Sequence, residues 1–191
     1  MSQALKLNKK YTYADLMNWP EDERWELIDG VPYAMAAPTI NHQRILGNLH
    51  WKFREFLEDK TCEIFAAPCD VRLYANKDDE DDSLDDTIVQ PDLLVVCDPD
   101  KLANGKAVKG APDLIVEILS PSNSTRDTML KFQKYRDAGV AEIWFIDPDD
   151  KITHTHIKQG SGKYSIDFYG AEDIVPVGIL PGFELDMKTI F

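Results

Sequence analysis

Apolar residues at Ile45, Leu46, Leu49, Phe53, Phe56 and Leu57 recur at three- and four-residue intervals, which predicts a helix over 40–59 with one buried face. His42 precedes Ile45, Leu46 and Leu49 by three, four and seven positions, so it belongs to that inward face near the helix start, with His50 beside it. Upstream, Thr12-x-x-Asp15 fits a capping box ahead of a short helix that ends near Trp19-Pro20. Apolar residues flank Asp29-Gly30, a strong hairpin signal, and predict strands at 25–28 and 31–36 with Glu26 in the first; a helical first arm is the alternative.

Beyond the helix, 62–74 reads as extended and 76–87 as a solvated acidic insertion. Segment 88–97, IVQPDLLVVC, reads as one strand with Pro91 near its beginning, and alternation places Gln90, Asp92 and Leu94 on one face. Segment 98–110 reads as a loop. Segment 113–119 is apolar on both faces, as a central covered strand is, with Ile115, Glu117 and Leu119 sharing a side. Ser124-x-x-Asp127 then caps a helix running to about 138, stopped by Gly139, on which Asp127, Lys131 and Tyr135 share a face. A strand at 142–147, a hairpin or meander through 152–157 and 164–169, and a last short strand with a terminal turn complete an α/β chain. There is no internal repeat or dividing linker, so a single domain over 1–191 is expected.

Composition narrows the class. With 43% hydrophobic and 10% aromatic residues in 191, a full core is within reach without a structural metal or disulfide. Cys62, Cys69 and Cys97 are odd in number, lack CxxC spacing and sit in apolar runs, so they read as reduced core residues of a cytoplasmic protein. No signal-like or membrane-spanning stretch is present in the sequence. The net charge is −13, and although seven acids fall between Asp78 and Asp86, the remainder is still acidic. Charge therefore counts against broad electrostatic capture of nucleic acid, which normally leaves a basic footprint.

The chemistry concentrates on two acids. An ionised carboxylate inside a strand as apolar as that of Glu117 costs several kcal/mol unless a cation or dense hydrogen bonding compensates it. Asp92, on a neighbouring strand, and Glu117 can together hold a hard divalent cation through oxygen, with Lys131 adding positive charge at a phosphate. The plainer alternative makes Asp92 a strand-entry acid, pairs Glu117 with an interior base, and pairs Lys131 with Asp127. It weakens when all three residues are taken together. His154 and His156 share a strand side without a third ligand and read as exposed hairpin polarity.

WELIDG, PDLLVV, DLIVEILSPSNSTRD, K-x-x-x-Y and AGVAEIWFIDP, in that order, resemble the large bacterial Uma2-type family of restriction endonucleases, within the PD-(D/E)XK nuclease superfamily. The resemblance spans 11–148 and continues more weakly beyond. It implies a restriction-endonuclease-like α/β fold, a mixed central sheet flanked by helices with additional antiparallel strands, and Mg²⁺-dependent phosphodiester hydrolysis, with Mn²⁺ as a substitute. Asp92 and Glu117 match the family's metal-binding carboxylates. Leu119 stands where E-x-K would place the lysine, and Lys131 resembles a lysine migrated to the following helix. Glu26 matches the glutamate of the WELIDG-like segment: either a third acid to the metal, directly or through water, or a hairpin acid facing solvent or pairing with Arg24 or a lysine. Gln90 either orients water or satisfies strand backbone. His42 either touches the phosphate or moves a proton, or is a hydrogen-bonded core histidine.

The leading expectation is a DNA endonuclease, a homodimer if both strands of a duplex are cut symmetrically, with local charge from Lys101, Lys106 and Lys109 and from Lys6, Lys9 and Lys10. The alternative is a nuclease-fold binding or assembly module with weak or no catalysis, which the acidity favours. A different hydrolase using the same metal site is a third reading.

Overall fold

The apolar pattern around Glu117 does produce a central strand, and the rest of the chain is layered on it. The structure, a computed structural model, describes residues 9–20, 22–76, 81, 84–120 and 125–191, with side chains of 125–127 excluded. In chain order these form helix α1 (Tyr13–Leu16), strands β1 (Trp25–Ile28) and β2 (Val31–Ala34), helix α2 (Ile40–Leu57), strands β3 (Glu63–Ala66), β4 (Val71–Arg72), β5 (Ile88–Val89), β6 (Leu93–Val96), β7 (Val108–Lys109) and β8 (Leu114–Ile118), then helix α3 (Thr125–Ala138). Strands β9 (Glu142–Asp147), β10 (Ile152–Lys158), β11 (Tyr164–Tyr169), β12 (Ile174–Pro176) and β13 (Glu184–Asp186) follow, with 3-10 turns at Pro99–Leu102 and Met187–Thr189.

A six-stranded sheet runs β11-β10-β9-β8-β6-β3, mixed because β8 and β9 are parallel. A five-stranded sheet runs β2-β1-β5-β4-β7, and β12 pairs with β13. All five residues of β8 are buried. Leu114, Val116 and Ile118 meet the inward face of α2, including Ile45, Leu49 and Phe53, while Ile115 lies in a second core with Tyr135 of α3 and Val71 and Val89 of the other sheet. Two covered faces explain the unbroken apolar run.

Several local expectations hold. Asp29 and Gly30 both have positive φ, 51° and 73°, as a type I′ turn requires, and the amide of Thr12 donates to Asp15 Oδ2 at 3.1 Å. The helix ends at Gly139, φ 86°, where the amides of Gly139 and Val140 bond back to Tyr135 O at 3.1 and 3.0 Å. The Ser124 and Asp127 cap lies outside the described residues.

Four expectations are corrected. Segment 88–97 is two strands in different sheets, because Pro91 offers no amide to continue a ladder and the chain crosses over at Gln90–Asp92. Segment 98–110 carries a 3-10 turn and β7. The end of the acidic run is tied down: Asp85 pairs with the buried Arg72, and Asp86 O accepts Gly30 N at 2.7 Å. Cys62 and Cys97 form a disulfide. The antiparallel register pairing Glu63 with Val96 brings them opposite each other, a proximity that sequence spacing could not reveal; Cys69 is free.

Candidate functional site

Register builds the acid pair. Leu93 of β6 faces Val116 of β8, and one step further along the same antiparallel alignment Asp92 faces Glu117. Asp92 is fixed at both ends: its Oδ2 accepts Ile118 N at 2.7 Å and its carbonyl accepts Ala67 N at 3.0 Å. Glu117 is 5% exposed.

Helix α3 supplies the compensating groups from one face. Lys131 Nζ lies 3.1 Å from Glu117 Oε1 and 2.8 Å from Glu26 Oε1. One turn later the buried Tyr135 hydroxyl donates to the same Glu117 oxygen. Lys131 thus reaches from the helix to the acid beside which Leu119 offers no charge. The alternative pairing of Lys131 with Asp127 lies outside the described residues.

Glu26 arrives from the other sheet, on β1, and its Oε1 also accepts Gln90 N at 2.8 Å. The Gln90 side chain is engaged on both sides: Oε1 accepts Arg24 Nη2 at 2.9 Å and Nε at 3.2 Å, while Nε2 donates to Asp70 Oδ1 at 2.8 Å. Burial raises the Asp70 carboxyl against the lowering pull of Gln90 and Arg24. Gln90 therefore lines the same cleft as Asp92, and its backbone holds Glu26 while its amide is held by Arg24 and Asp70.

His42 sits in the first turn of α2, where Thr39 Oγ1 caps its amide at 3.1 Å. Its Nε2 lies 3.1 Å from Asp92 Oδ2, and its Nδ1 is buried without a hydrogen-bond partner among the described residues. Burial works to lower its pKa, but the hydrogen bond and charge of Asp92, with the charge of Glu117, carry it above the ordinary value.

These groups line a cleft of about 450 Å³ between the two sheets and the start of α2. Its electrostatics are those of crowded acids. Burial first, opposed by Lys131 and reinforced by Asp92 and Glu26, pushes Glu117 up to about 7. Lys131 is raised as well: burial would lower it, but the charges of Glu117 and Glu26 outweigh burial and hold it firmly protonated.

The donor set fits a hard divalent cation in part. The contacts above fall on Oδ2 of Asp92 and Oε1 of Glu117, leaving Oδ1 and Oε2, among the described residues, as oxygen donors on facing residues. Among the described residues no three His, Cys, Asp or Glu side chains converge as a metal cluster, so this is a two-carboxylate arrangement. That suits Mg²⁺, which keeps several waters and binds through one or two carboxylates plus phosphate oxygens.

Other candidates are placed elsewhere. His154 packs on Phe168 and His156 on Phe132, ring centroids 4.7 and 4.4 Å apart, so both are half-buried aromatic contacts rather than exposed polarity. Lys109 is 9% exposed, Lys101 Nζ donates to Ala111 O at 2.7 Å, Lys9 pairs with Asp15 and Lys10 donates to Asp29 O, so of the lysines expected to supply local charge Lys106 stays exposed in its loop; Lys6 is outside the described residues. Tyr135, which helical spacing puts on the face of Lys131, was not assigned to the site by sequence reasoning, and Asp70 was missed, with no signal that could have found it.

Comparison places this geometry among known proteins. "Uncharacterized protein slr1290" of Synechocystis sp. (strain ATCC 27184 / PCC 6803 / Kazusa) is 29% identical over 167 residues, covering 86% of this chain and 83% of that one. "Uncharacterized protein sll1609" of the same organism is 30% identical over 115 residues, 60% of each. The crystal structure of a putative nuclease belonging to DUF820 from Anabaena variabilis ATCC 29413 shares the fold, with a TM-score of 0.73 at 19% identity over 94% of this chain and 97% of that one. The family model Uma2, described as putative restriction endonuclease, matches residues 13–188, from the first helix to the last turn, and the chain belongs to that family.

Proposed function

We propose that the chain is a Mg²⁺-dependent endonuclease that hydrolyses phosphodiester bonds in DNA, with Mn²⁺ able to substitute. The observation that carries this reading is the single ammonium of Lys131 set against Glu117, with Asp92 opposite, at the floor of a cleft. Asp92 and Glu117 would hold the cation, which when bound supplies Lewis acidity toward water and phosphoryl oxygens.

The chain's own groups do the rest. Lys131 spends two of its three donors on Glu26 and Glu117, and the third, with no partner among the described residues, would serve a non-bridging phosphate oxygen, where negative charge grows during attack. His42 and the Ile118 amide hold Asp92 Oδ2, which orients its other oxygen. Tyr135 and Lys131 do the same for Glu117. Gln90, clamped by Arg24 and Asp70, fixes Glu26 and through it the ammonium.

A second reading, a nuclease-fold binding or assembly module, is favoured by the net charge of −13 and by the burial of Lys109. Incubating the protein with supercoiled plasmid and with single strands, with Mg²⁺, Mn²⁺ or EDTA, separates the two. Nicking that depends on the ion and disappears in Asp92→Ala and Glu117→Ala supports the nuclease. Absence of cleavage together with absence of divalent-ion binding by calorimetry assigns the module. Symmetric double-strand cutting would call for two copies, which sedimentation would detect as a dimer.

A further inference from the structure

Helix α2 is an exception to the acidity of the chain. From 40 to 54 it holds Arg44, Lys52 and Arg54 and no acid, the first being Glu55. Arg44 and Arg54 are exposed, Lys52 is half-buried, and none of the three has an ion-pair partner among the described residues. Between the arginines stands Trp51, 66% exposed, while Trp19 and Trp144 are buried and Trp25 is half-buried.

Helical geometry gathers these into one stripe. Seven residues separate Arg44 from Trp51, about 20° around the axis, and Arg54 lies about 60° further round, so the stripe is a band about 80° wide that extends about 15 Å at 1.5 Å per residue. Gly47 lies on it, and a Cβ added there would meet nothing within 4 Å, so the surface beside Trp51 is open. The cleft lies at the same end of the helix, where the cap Thr39 with His42, Gln43 and Leu46 lines it, and Arg44 follows Gln43 directly in the chain.

We propose that this face of α2 is the track along which a single-stranded nucleic-acid segment leaves the cleft, with phosphates on Arg44 and Arg54, Lys52 at the flank, and a base stacked on Trp51. The inference rests on the nuclease reading and names where its substrate lies. Charge complementarity selects the occupant. A polyanion is drawn to unpaired guanidinium groups on an otherwise acidic protein, and guanidinium forks suit phosphate. The exposed indole selects an unstacked base, since every base offers a face for stacking and a duplex hides it.

The test is binding of fluorescein-labelled oligothymidine of about 20 nucleotides, and of a hairpin duplex, to the full chain in EDTA across a salt series. Wild type is expected to bind the single strand with quenching of Trp51 fluorescence. Arg44→Glu/Arg54→Glu is expected to weaken binding about tenfold or more and to flatten its salt dependence. Trp51→Ala is expected to weaken single-strand binding by about fivefold or more while sparing the duplex. Unchanged affinity in the double arginine variant overturns the proposal. So does wild-type binding to phosphatidylglycerol vesicles, or arginine-dependent self-association, without oligonucleotide binding. Hydrolysis of bis(p-nitrophenyl) phosphate with Mn²⁺ reads the cleft separately. The arginine variant should retain that activity, and its absence in wild type would remove the nuclease reading while oligonucleotide binding still judged the stripe.

Discussion

Lys131 of α3 lies 2.8 Å from Glu26 of β1, a contact that ties a helix packed on one sheet to a strand of the other. The same ammonium serves Glu117, so one side chain neutralises acids from both sheets. Replacing Lys131 by Met would leave two buried carboxylates uncompensated. Breaking such a network costs about 3–5 kcal/mol. Thermal melting should show that loss, and ion-dependent nicking should fall by about 100-fold or more. A variant that melts as wild type would contradict this account of the site.

The pH dependence of stability without divalent ions follows from Glu117. Its folded-state pKa of about 7 exceeds its ordinary 4.5, so between these values the folded chain binds more protons than the unfolded chain. Stability therefore falls as pH rises through that window. His42 acts in the same direction: its raised pKa gives stability present at low pH and lost as pH climbs through the folded value. Glu117→Gln should flatten most of the decline, and adding Mg²⁺ to wild type should raise the melting temperature above pH 7 in a concentration-dependent way. Parallel melting curves for wild type and Glu117→Gln from pH 5 to 8 would refute the assignment.

Tyr135→Phe removes one donor from Glu117 and little volume. A hydrogen bond to a charged group contributes about 1.5–3 kcal/mol, so a stability loss of that order is expected at neutral pH. Because the Tyr135 hydroxyl holds the Glu117 pKa down, the variant should also shift the alkaline decline of stability to higher pH. A purely packing role would leave that profile in place.

Gln90→Ala leaves the backbone amide that holds Glu26 but leaves Asp70 and Arg24 without their shared partner. A cost of about 1–3 kcal/mol is expected from the unsatisfied buried groups. Turnover of a small phosphodiester should change by less than about tenfold, since the amide is engaged on both sides. A turnover loss far beyond the stability loss would restore Gln90 as a group that orients water.

Much of this frame was legible in the residues. The Asp29-Gly30 hairpin, the inward face of α2 with His42 on it, and the pairing of Lys131 with Tyr135 along α3 are local, periodic signals, and periodicity survives folding. What escaped were relationships between distant strands. Asp92 and Glu117 were placed on neighbouring strands, but the crossover at Pro91 came from sheet pairing, which no local signal encodes. Cys62 and Cys97 met for the same reason. Charge misled in a different way. Lys109 is buried and Lys101 is spent on a backbone carbonyl, whereas Arg44 and Arg54, ten positions apart and about 80° from each other round the helix, both stay exposed.

The crossover between sheets at Gln90–Asp92 imposes a length rule. The amide of Gln90 is fastened to Glu26 on one side, and the carbonyl of Asp92 to the Ala67 amide on the other. Inserting or deleting a single residue between them would either break one of these anchors or slide β6 by one position against β8, and that slide would turn the Asp92 side chain away from Glu117, because strand side chains alternate. Substitutions at position 91 can be absorbed, but a change of chain length there cannot. A glycine inserted after Pro91 should therefore lower the melting temperature and weaken any divalent-ion binding together.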